Sequence, residues 1–242
     1  MKRGAMTVIT GAEAEYIRQH LAHRIMGSRF VNTEDAEKMK SRFCLLGHQD
    51  PDAVLNAKNM TLASPTISTA ARAVALQIST SFGWDFHIGD VEGAFLTSDP
   101  LEKGAPGRTE AGGLFARLPP GGFPGVPRDA ILRVDVPVYG PGDAPLHFRN
   151  KTRTTMDKAQ FCESEIDPCL YTIYDRSDNL QGVIVWHVDD CFASGEGEVF
   201  EAAMRTVKAE LPFRKWTTNE GKFCGTWIRR RSDGCTTLDQ KE

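Results

Sequence analysis

Three aspartates follow apolar runs that have the character of buried strands. Asp90 comes after Trp84–Ile88, and Asp189 and Asp190 come after Val183–Val188. A carboxylate at the end of a buried strand is costly unless it faces a cleft, a cation or a substrate. If the two strands lie side by side, the three carboxylates repel one another strongly unless divalent metal neutralises them. This arrangement suits two-metal phosphoryl transfer, in which paired cations bind the attacking and leaving oxygens.

The composition is that of a globular chain with enough apolar residues for a large core. It has 242 residues, of which 40% are hydrophobic and 25% charged, and a formal net charge of -3 that argues against a uniformly basic nucleic-acid binder. The six cysteines show no Cys-x-x-Cys spacing and are typical of reduced thiols. Because no secretory signal and no apolar run of membrane-spanning length is present, we expect an intracellular protein, cytoplasmic or nuclear, without a membrane partner.

Two stretches concentrate positive charge. Arg149, Lys151, Arg153 and Lys158 form the first, and Arg229–Arg231 form the second. Charge pattern alone leaves two interpretations open, a solvated face and a phosphate-binding face.

The order of the predicted elements mixes helices and strands without βαβ repetition. Helices are predicted over 12–26, from the Ser68 N-cap to Gly83, over 150–161 and over 198–211, and strands over 28–32, 40–46, 84–88, 169–174, 182–187, 191–193, 222–230 and 235–238. A charged tip, 33–38, joins the first two strands, and the glycine- and proline-rich residues 104–125 are predicted to be mostly loop. This order favours an α+β fold with an antiparallel sheet.

Seven motifs follow one another in a fixed order along residues 28–242. They are Lys40-Ser-Arg-Phe-Cys-Leu-Leu-Gly47, Gly83-Trp84 with Asp90-Val-Glu-Gly-Ala-Phe-Leu96, Leu118-Pro-Pro-Gly-Gly-Phe123, Val138-Tyr-Gly140 with Ala144-Pro145, Asp167-Pro-Cys-Leu-Tyr171, His187-Val-Asp-Asp190 and Phe223-Cys-Gly-Thr-Trp-Ile228. Together they resemble the reverse transcriptase domain of copia-type LTR retrotransposons, a part of the Pol polyprotein.

The resemblance implies the palm-and-fingers polymerase fold with a central antiparallel sheet. Residues 1–27 would be an N-terminal helix or linker. The fingers would comprise roughly 28–83 and 104–160, and the palm roughly 84–103 and 161–242. We expect the thumb to be absent, so that remaining Pol segments (thumb, RNase H and integrase) would be partners.

The resemblance also implies an activity, RNA-directed DNA synthesis from deoxynucleotides on an RNA or DNA template-primer. Asp90 and Asp189 would hold two Mg²⁺ ions, which Mn²⁺ could replace, and Asp190 would support the same cluster.

Five further residues are implied in nucleotide binding. Arg42, assisted by Lys40, would bind the triphosphate, and the backbone N–H groups of Gly93 and Ala94 would contribute. Phe95 falls at the position whose bulky side chain excludes a 2′-hydroxyl. Considered without the resemblance, Arg42 and Lys40 are also compatible with a charged edge strand, and Phe95 with core packing.

Two departures from the family pattern bear on activity. Asp143 stands where a glutamine is usual and would bring negative charge close to a triphosphate, and His187 replaces a tyrosine before the acidic pair. Two other functions are therefore weighed: a catalytically inactive remnant that at most binds nucleic acid through 149–158, and a metal-dependent phosphohydrolase. The latter would require additional His or Asp ligands, and none has suitable spacing.

Overall fold

The computed structural model describes residues 4–35, 38–53, 64–101, 108 and 113–240. The helices in these ranges are α1 (Gly11–His20), α2 (Thr69–Ser81), α3 (Ala144–Lys158) and α4 (Gly197–Glu210). The strands are β1 (Met6–Ile9), β2 (Ile25–Met26), β3 (Ser28–Asp35), β4 (Lys38–Leu45), β5 (Phe86–Val91), β6 (Leu114–Arg117), β7 (Ile131–Val134), β8 (Cys162–Glu163), β9 (Leu170–Tyr174), β10 (Leu180–His187), β11 (Asp190–Gly195), β12 (Phe213–Thr218), β13 (Glu220–Phe223), β14 (Thr226–Arg230) and β15 (Thr236–Asp239).

The chain divides into two compact units, each discontinuous in sequence. Unit 1 comprises Met1–Ala63 and Phe95–Asn150, and unit 2 comprises Ser64–Ala94 and Lys151–Glu242. These bounds place α2 in unit 2, whereas the resemblance groups residues 28–83 with the fingers. The names fingers and palm stay predictions.

Unit 1 contains a four-stranded sheet of order β1-β7-β6-β2 and the β3–β4 hairpin. The β2–β6 pair is parallel, and the others are antiparallel. Residues 4–27 contribute to this unit, because β1 pairs with β7 and α1 buries Ala14 and Ile17 against Phe115 and Ile131. The predicted helix over 12–26 therefore ends early, at His20.

Two glycines allow the end of β4 to approach the Tyr139 segment in unit 1. The Leu45 N–H donates to the Tyr139 carbonyl at 2.8 Å, and Gly140 follows with φ +123°. A Cβ on Gly140 would lie 2.7 Å from the Leu45 carbonyl carbon, and a Cβ on Gly47 would overlap the Gly140 carbonyl. The Lys40–Gly47 and Val138–Gly140 motifs thus meet, backbone against backbone.

Unit 2 contains a six-stranded antiparallel sheet of order β12-β5-β11-β10-β9-β8 and a three-stranded sheet, β13-β14-β15. Helix α2 begins as predicted, since the Ser68 hydroxyl accepts the Ala71 N–H at 3.1 Å. Its apolar face enters a core that includes Phe86, Phe192 and Phe223. The predicted α+β class with an antiparallel sheet is confirmed.

Three of the differences from the predicted strands follow from pairing over long sequence separations. Strand β5 continues through Asp90, because it is paired on both sides, with β11 and β12. Strand β12 was not predicted, and residues 114–117 of the predicted loop form β6. Residues 36–37 of the predicted tip, and 104–107 and 109–112 of the predicted loop, lie outside the described residues.

The Asp167 motif fastens the start of α2 to β9 within unit 2. The buried carboxylate of Asp167 accepts the Ser68 N–H and the Cys169 N–H, each at 2.9 Å. Burial alone would raise the pKa of Asp167, but these hydrogen bonds lower it overall. The motif is therefore explained by packing.

We expect Asp167→Asn to lower the free energy of unfolding by about 2 kcal/mol at pH 7, because an amide N–H₂ would face a backbone N–H. A carboxyl whose pKa is lowered by folding stabilises above its unfolded pKa, and that contribution is lost as pH falls through the folded pKa. The loss of unfolding free energy caused by Asp167→Asn, measured by urea unfolding, should therefore be smaller at pH 3 than at pH 7. Asp178→Asn, at an exposed turn, is the control, and equal losses at both pH values would contradict the assignment.

Candidate active site

Two of the three aspartates face each other across neighbouring strands of unit 2. Strands β5 and β11 are antiparallel, and their register pairs Asp90 with Asp190. Asp189 lies in the two-residue turn of the β10–β11 hairpin, whose last pair is His187 with Asp190. The Asp189 carbonyl accepts the Val91 N–H at 2.9 Å, which ties the turn to β5. The structure thus brings the three predicted catalytic residues to the same end of the neighbouring strands β5 and β11.

The turn that carries Asp189 is strained. Val188 has φ +56°, in a region where β-branched residues are genuine outliers. A positive φ at the first central residue of a two-residue hairpin turn usually selects glycine. Backbone strain of this kind persists where the surrounding structure imposes it, and it clusters at functional sites.

The electrostatics of the site reflect three carboxylates crowded into partial burial. Burial, reinforced by the charges of Asp189 and Asp90, raises the pKa of Asp190 to about 6, against the opposing charges of His187 and Arg214. Burial also raises the pKa of Asp189, and Asp90 adds to this rise. A neighbouring cation would relieve this repulsion.

One cation is already in contact with the site. Arg214, on β12, forms an ion pair with Asp90 through Nη2 and Oδ2. The register of β12 against β5 skips one residue, since Phe213 pairs with Val91 and Lys215 pairs with Asp90. Arg214 is the extra residue of this bulge. Bulges beside active sites re-aim a side chain, and here the re-aimed guanidinium lies on the carboxylate.

Strand β12 is held against β5 by aromatic packing at Gly89. A Cβ on Gly89 would lie 2.6 Å from the Trp216 ring and 2.8 Å from Phe213. These two rings contact each other edge to face, with centroids 4.8 Å apart, and Lys208 Nζ lies 4.1 Å from the Trp216 centroid. The absence of a side chain at position 89 therefore allows β12, with Arg214, to approach Asp90.

A cleft of about 550 Å³ opens in front of Asp90 and Asp190. Its lining includes Lys215, Lys222 and Trp227 in addition to Arg214. Trp227 is 39% exposed, and its indole N–H donates to Glu220 at 3.3 Å. The cleft thus carries three cationic side chains and an aromatic face, which are features of single-strand binding sites, beside the carboxylates of Asp90, Asp190 and Glu220. Sequence reasoning missed Arg214, Lys215 and Trp227 as cleft residues.

The donor set suits Mg²⁺ in kind, because hard divalent cations take carboxylate oxygens. The pairing of Asp90 with Asp190 across β5 and β11 supplies two such groups. As the side chains stand, no group of three His, Cys, Asp or Glu residues within the described ranges converges enough to hold a metal ion. The Asp90 carboxylate is instead bound by Arg214, so a second cation would have to compete with this contact.

Lys40 and Arg42 lie in unit 1, on the same face of β4, because strand side chains alternate. Arg42 is exposed. The aromatic rings of Phe30, Phe43 and Phe123 pack together in this hairpin region, with Phe123 5.8 Å from each of the others. The Phe123 motif is thus explained by its packing on the hairpin that presents Arg42.

The other predicted nucleotide-binding residues follow β5 in sequence. Gly93 has φ +61°, and Ala94 is buried; both belong to unit 2. Phe95 belongs to unit 1, where its ring packs on Tyr139 with centroids 4.9 Å apart. Phe95 therefore has a packing partner, and its role as a gate stays a prediction.

Asp143 does not carry an uncompensated charge, which corrects the sequence-based expectation. Its buried carboxylate pairs with Arg108 at 2.6 Å and with His147 Nε2 at 3.1 Å. Arg108 also pairs with Asp50 at 2.7 Å, within a buried network of unit 1 that includes Asp52. The pairing raises the pKa of Arg108 although burial opposes this. The departure at 143 is therefore part of an internal ion-pair network of unit 1.

The first basic stretch is largely neutralised by carboxylates. Lys151 and Lys158, on α3, both pair with Glu210, at 3.1 and 3.0 Å, and Arg153 pairs with Glu163 at 3.3 Å. Exposed pairs of this kind contribute little stability, but they leave less positive charge to attract phosphate. This weakens the interpretation of residues 149–158 as a nucleic-acid surface.

No protein-family model and no curated protein matches the sequence. Among solved structures, apo telomerase from Candida tropicalis, truncated from its C-terminal domain, is similar with a TM-score of 0.51 and 7% identity, over 97% of this chain and 57% of that chain. Telomerase from Candida albicans in complex with the TWJ fragment of telomeric RNA gives a TM-score of 0.49 and 6% identity, over 95% of this chain and 48% of that chain. The foamy viral protease-reverse transcriptase in complex with double-stranded DNA gives a TM-score of 0.45 and 11% identity, over 94% of this chain and 31% of that chain.

No helix in the described part of the chain is long and apolar enough to cross a bilayer. The chain spans little more than half of the Candida tropicalis telomerase chain, at 57%. The likeness to that structure extends over almost the whole of the present chain and agrees with the mixed antiparallel architecture of both units. We conclude that the chain has the fold of reverse transcriptases and related polymerases.

Proposed function

We propose that this chain is the RNA-directed DNA polymerase domain of a copia-type LTR retrotransposon, and that it adds deoxynucleotides to a primer 3′-hydroxyl on an RNA or DNA template. The observation that carries the proposal is the in-register pairing of Asp90 with Asp190, next to the turn that holds Asp189. The seven ordered motifs support the copia type. Other Pol segments (thumb, RNase H and integrase) would be its partners.

In this proposal Asp90 and Asp189 hold two Mg²⁺ ions, and Asp190 supports the cluster. The ions would lower the pKa of the primer hydroxyl and neutralise the departing pyrophosphate. The partial burial of the three aspartates excludes part of the solvent and strengthens their attraction for cations.

Nucleotide recognition falls to the residues assigned by resemblance. Arg42, with Lys40, would bind the triphosphate through charge-assisted hydrogen bonds, and the N–H groups of Gly93 and Ala94 would add donors. Phe95 would exclude the 2′-hydroxyl of a ribonucleotide. The exposure of Arg42 is compatible with this role.

A second candidate function is that of a catalytically inactive remnant which at most binds nucleic acid. The ion pair between Arg214 and Asp90 favours it, because a cation fixed on a metal ligand opposes metal binding. The cleft with Lys222 and Trp227 could bind a strand without catalysis.

Primer extension separates the two functions. The purified chain, with poly(rA)–oligo(dT), dTTP and Mg²⁺ or Mn²⁺, should incorporate nucleotide in a template-dependent manner, and EDTA should abolish this. Asp99→Asn, at an exposed position, should retain incorporation, and Asp90→Asn should not. A chain that remains inactive after a family thumb is appended would favour the remnant, and hydrolysis of a phosphodiester without primer would favour a phosphohydrolase.

A further inference from the structure

Arg214 is placed on Asp90 by the backbone and not only by a flexible side chain. Between the pairs Phe213 with Val91 and Lys215 with Asp90, β12 has one residue more than β5. Continued without the extra residue, the pairing of Phe213 with Val91 would place Arg214 opposite Asp90, whereas the bulged register pairs Lys215 with it. The bulge therefore sets two neighbouring cationic residues, Arg214 and Lys215, opposite one aspartate. Of these two, Arg214 contacts Asp90 Oδ2.

The surroundings hold this arrangement in place. Phe213 and Trp216, on either side of the bulge, pack on each other with centroids 4.8 Å apart and close over Gly89. The Glu92 N–H donates to the Pro212 carbonyl at 2.8 Å, immediately before β12. The bulge is therefore fastened at both ends to the strand that carries Asp90.

A guanidinium and a divalent cation at the same carboxylate are antagonistic. The Asp90 side chain is 20% exposed, so water screens the interaction only in part. Charges of +1 and +2 within a few ångströms then repel each other more strongly than they would in bulk solvent. Binding of a metal ion at Asp90 requires Arg214 to move away, which its 56% exposed side chain permits.

We infer that Arg214 is a built-in competitor for the metal site, which neutralises Asp90 while no metal is bound and sets the threshold of divalent-cation concentration at which the site fills. The inference rests on the proposed metal-binding function of Asp90. It makes Arg214 a positioning residue that acts through Asp90. The coupling is reciprocal: the free energy by which Arg214 weakens metal binding equals the free energy by which bound metal weakens the stabilising ion pair of Arg214.

The test measures metal binding without nucleic acid or turnover. Mn²⁺ titration followed by electron paramagnetic resonance compares the full chain with Arg214→Gln and with Lys215→Gln, a matched loss of one positive charge from the same strand and cleft. Arg214→Gln should bind Mn²⁺ about two- to fivefold more tightly, the range expected for an exposed ion pair. Lys215→Gln should change the affinity less, because its charge does not contact Asp90.

A second measurement uses the metal-free protein. In EDTA, urea unfolding should show Arg214→Gln to be less stable than the unmodified chain, whereas saturating Mg²⁺ should remove that difference. In an Asp90→Asn background the Arg214 substitution should have a clearly smaller effect on both readouts, because only the charge interactions of Arg214 with Asp189 and Asp190 remain. Equal or weaker Mn²⁺ affinity in Arg214→Gln, with clear binding by the unmodified chain, would overturn the inference and leave the proposed metal site standing. Absence of binding in both chains would overturn the metal site and the inference together.

Discussion

Asp190→Asn should make the metal-free protein more stable at pH 7.5 and at the same time reduce nucleotide incorporation by roughly 100-fold. The two effects have one cause, the crowding of the Asp190 carboxylate by Asp189 and Asp90 in a partly buried site. An amide of the same shape removes a charge that the folded state accommodates poorly. It also removes support from the proposed metal site, and substitutions around metal ligands typically cost 10–100-fold in activity or affinity.

The sign of the stability effect follows from the pKa shift. Folding raises the pKa of Asp190 from 3.8 to about 6. The contribution of the Asp190 carboxyl to stability is therefore fully present below its unfolded pKa of 3.8, and it is lost as pH rises through the folded pKa of about 6. A shift of about two units corresponds to roughly 3 kcal/mol, and solvent screening of a partly exposed carboxyl reduces this to about 1–2 kcal/mol.

Urea unfolding in EDTA at pH 7.5 and at pH 4 checks the prediction. The gain from Asp190→Asn should be present at pH 7.5 and mostly absent at pH 4, where the folded carboxyl is protonated. Asp99→Asn, an exposed aspartate, should change stability at neither pH. An equal gain at both pH values would show that the effect is unrelated to ionisation, and unchanged incorporation would remove Asp190 from the site.

Gly140→Ala should destabilise unit 1 by more than about 3 kcal/mol, which is exceptional for the addition of one methyl group. The added Cβ would lie 2.7 Å from the Leu45 carbonyl carbon and closer still to its oxygen. Backbone atoms cannot rotate aside as a side chain can, so β4 and the Tyr139 segment would have to separate. The Leu45–Tyr139 hydrogen bond would then be lost.

Gly121→Ala is the matched control for this substitution. Gly121 also has a positive φ, +88°, and an added Cβ there would meet nothing within 4 Å. Gly121→Ala should therefore lower the free energy of unfolding only by the cost of a side chain in this backbone conformation, about 1–2 kcal/mol. Denaturant unfolding followed by far-UV circular dichroism measures both variants. Equal losses would show that the backbone conformation, and not the contact with Leu45, governs position 140.

Local patterns in the sequence were sufficient for the elements whose determinants are close in the chain. The Ser68 cap predicted the start of α2, and the apolar run before Asp189 predicted the β10–β11 hairpin. The two acidic clusters were expected to meet on the condition that their two strands are neighbours in the sheet. Their pairing, Asp90 opposite Asp190, confirms the proximity, although Asp90 lies within its strand and not beyond its end.

The ion pair between Arg214 and Asp90 could not be predicted from the same patterns. The bulge breaks the alternation of β12, and the ion-pair partner lies 124 residues away. The signal that was available is the aromatic and β-branched content of Phe213–Thr218, which favours a strand without indicating its neighbours.

The ion pair of Asp143 with Arg108 escaped prediction for a different reason. Arg108 lies in a stretch whose glycines and prolines indicate loop, and buried charge pairs leave no periodic trace in sequence. A departure from a family motif was therefore interpreted as a defect, although its compensating residue is 35 positions away.

The discontinuity of unit 1 has a consequence for synthesis on the ribosome. Strand β1 can pair with β7 only after the ribosome has synthesised β7. The hydrogen bond that the Thr7 hydroxyl donates to Asp135, beside this strand pair, joins residues 128 positions apart. At 5–20 residues per second, that interval lasts roughly 6–26 s. During it, the apolar face of the N-terminal segment, with Ile9, Ala14 and Ile17, has no Ile131 to cover it. The apolar face of the N-terminal segment therefore stays without its native partner strand until the middle of this sequence has been synthesised.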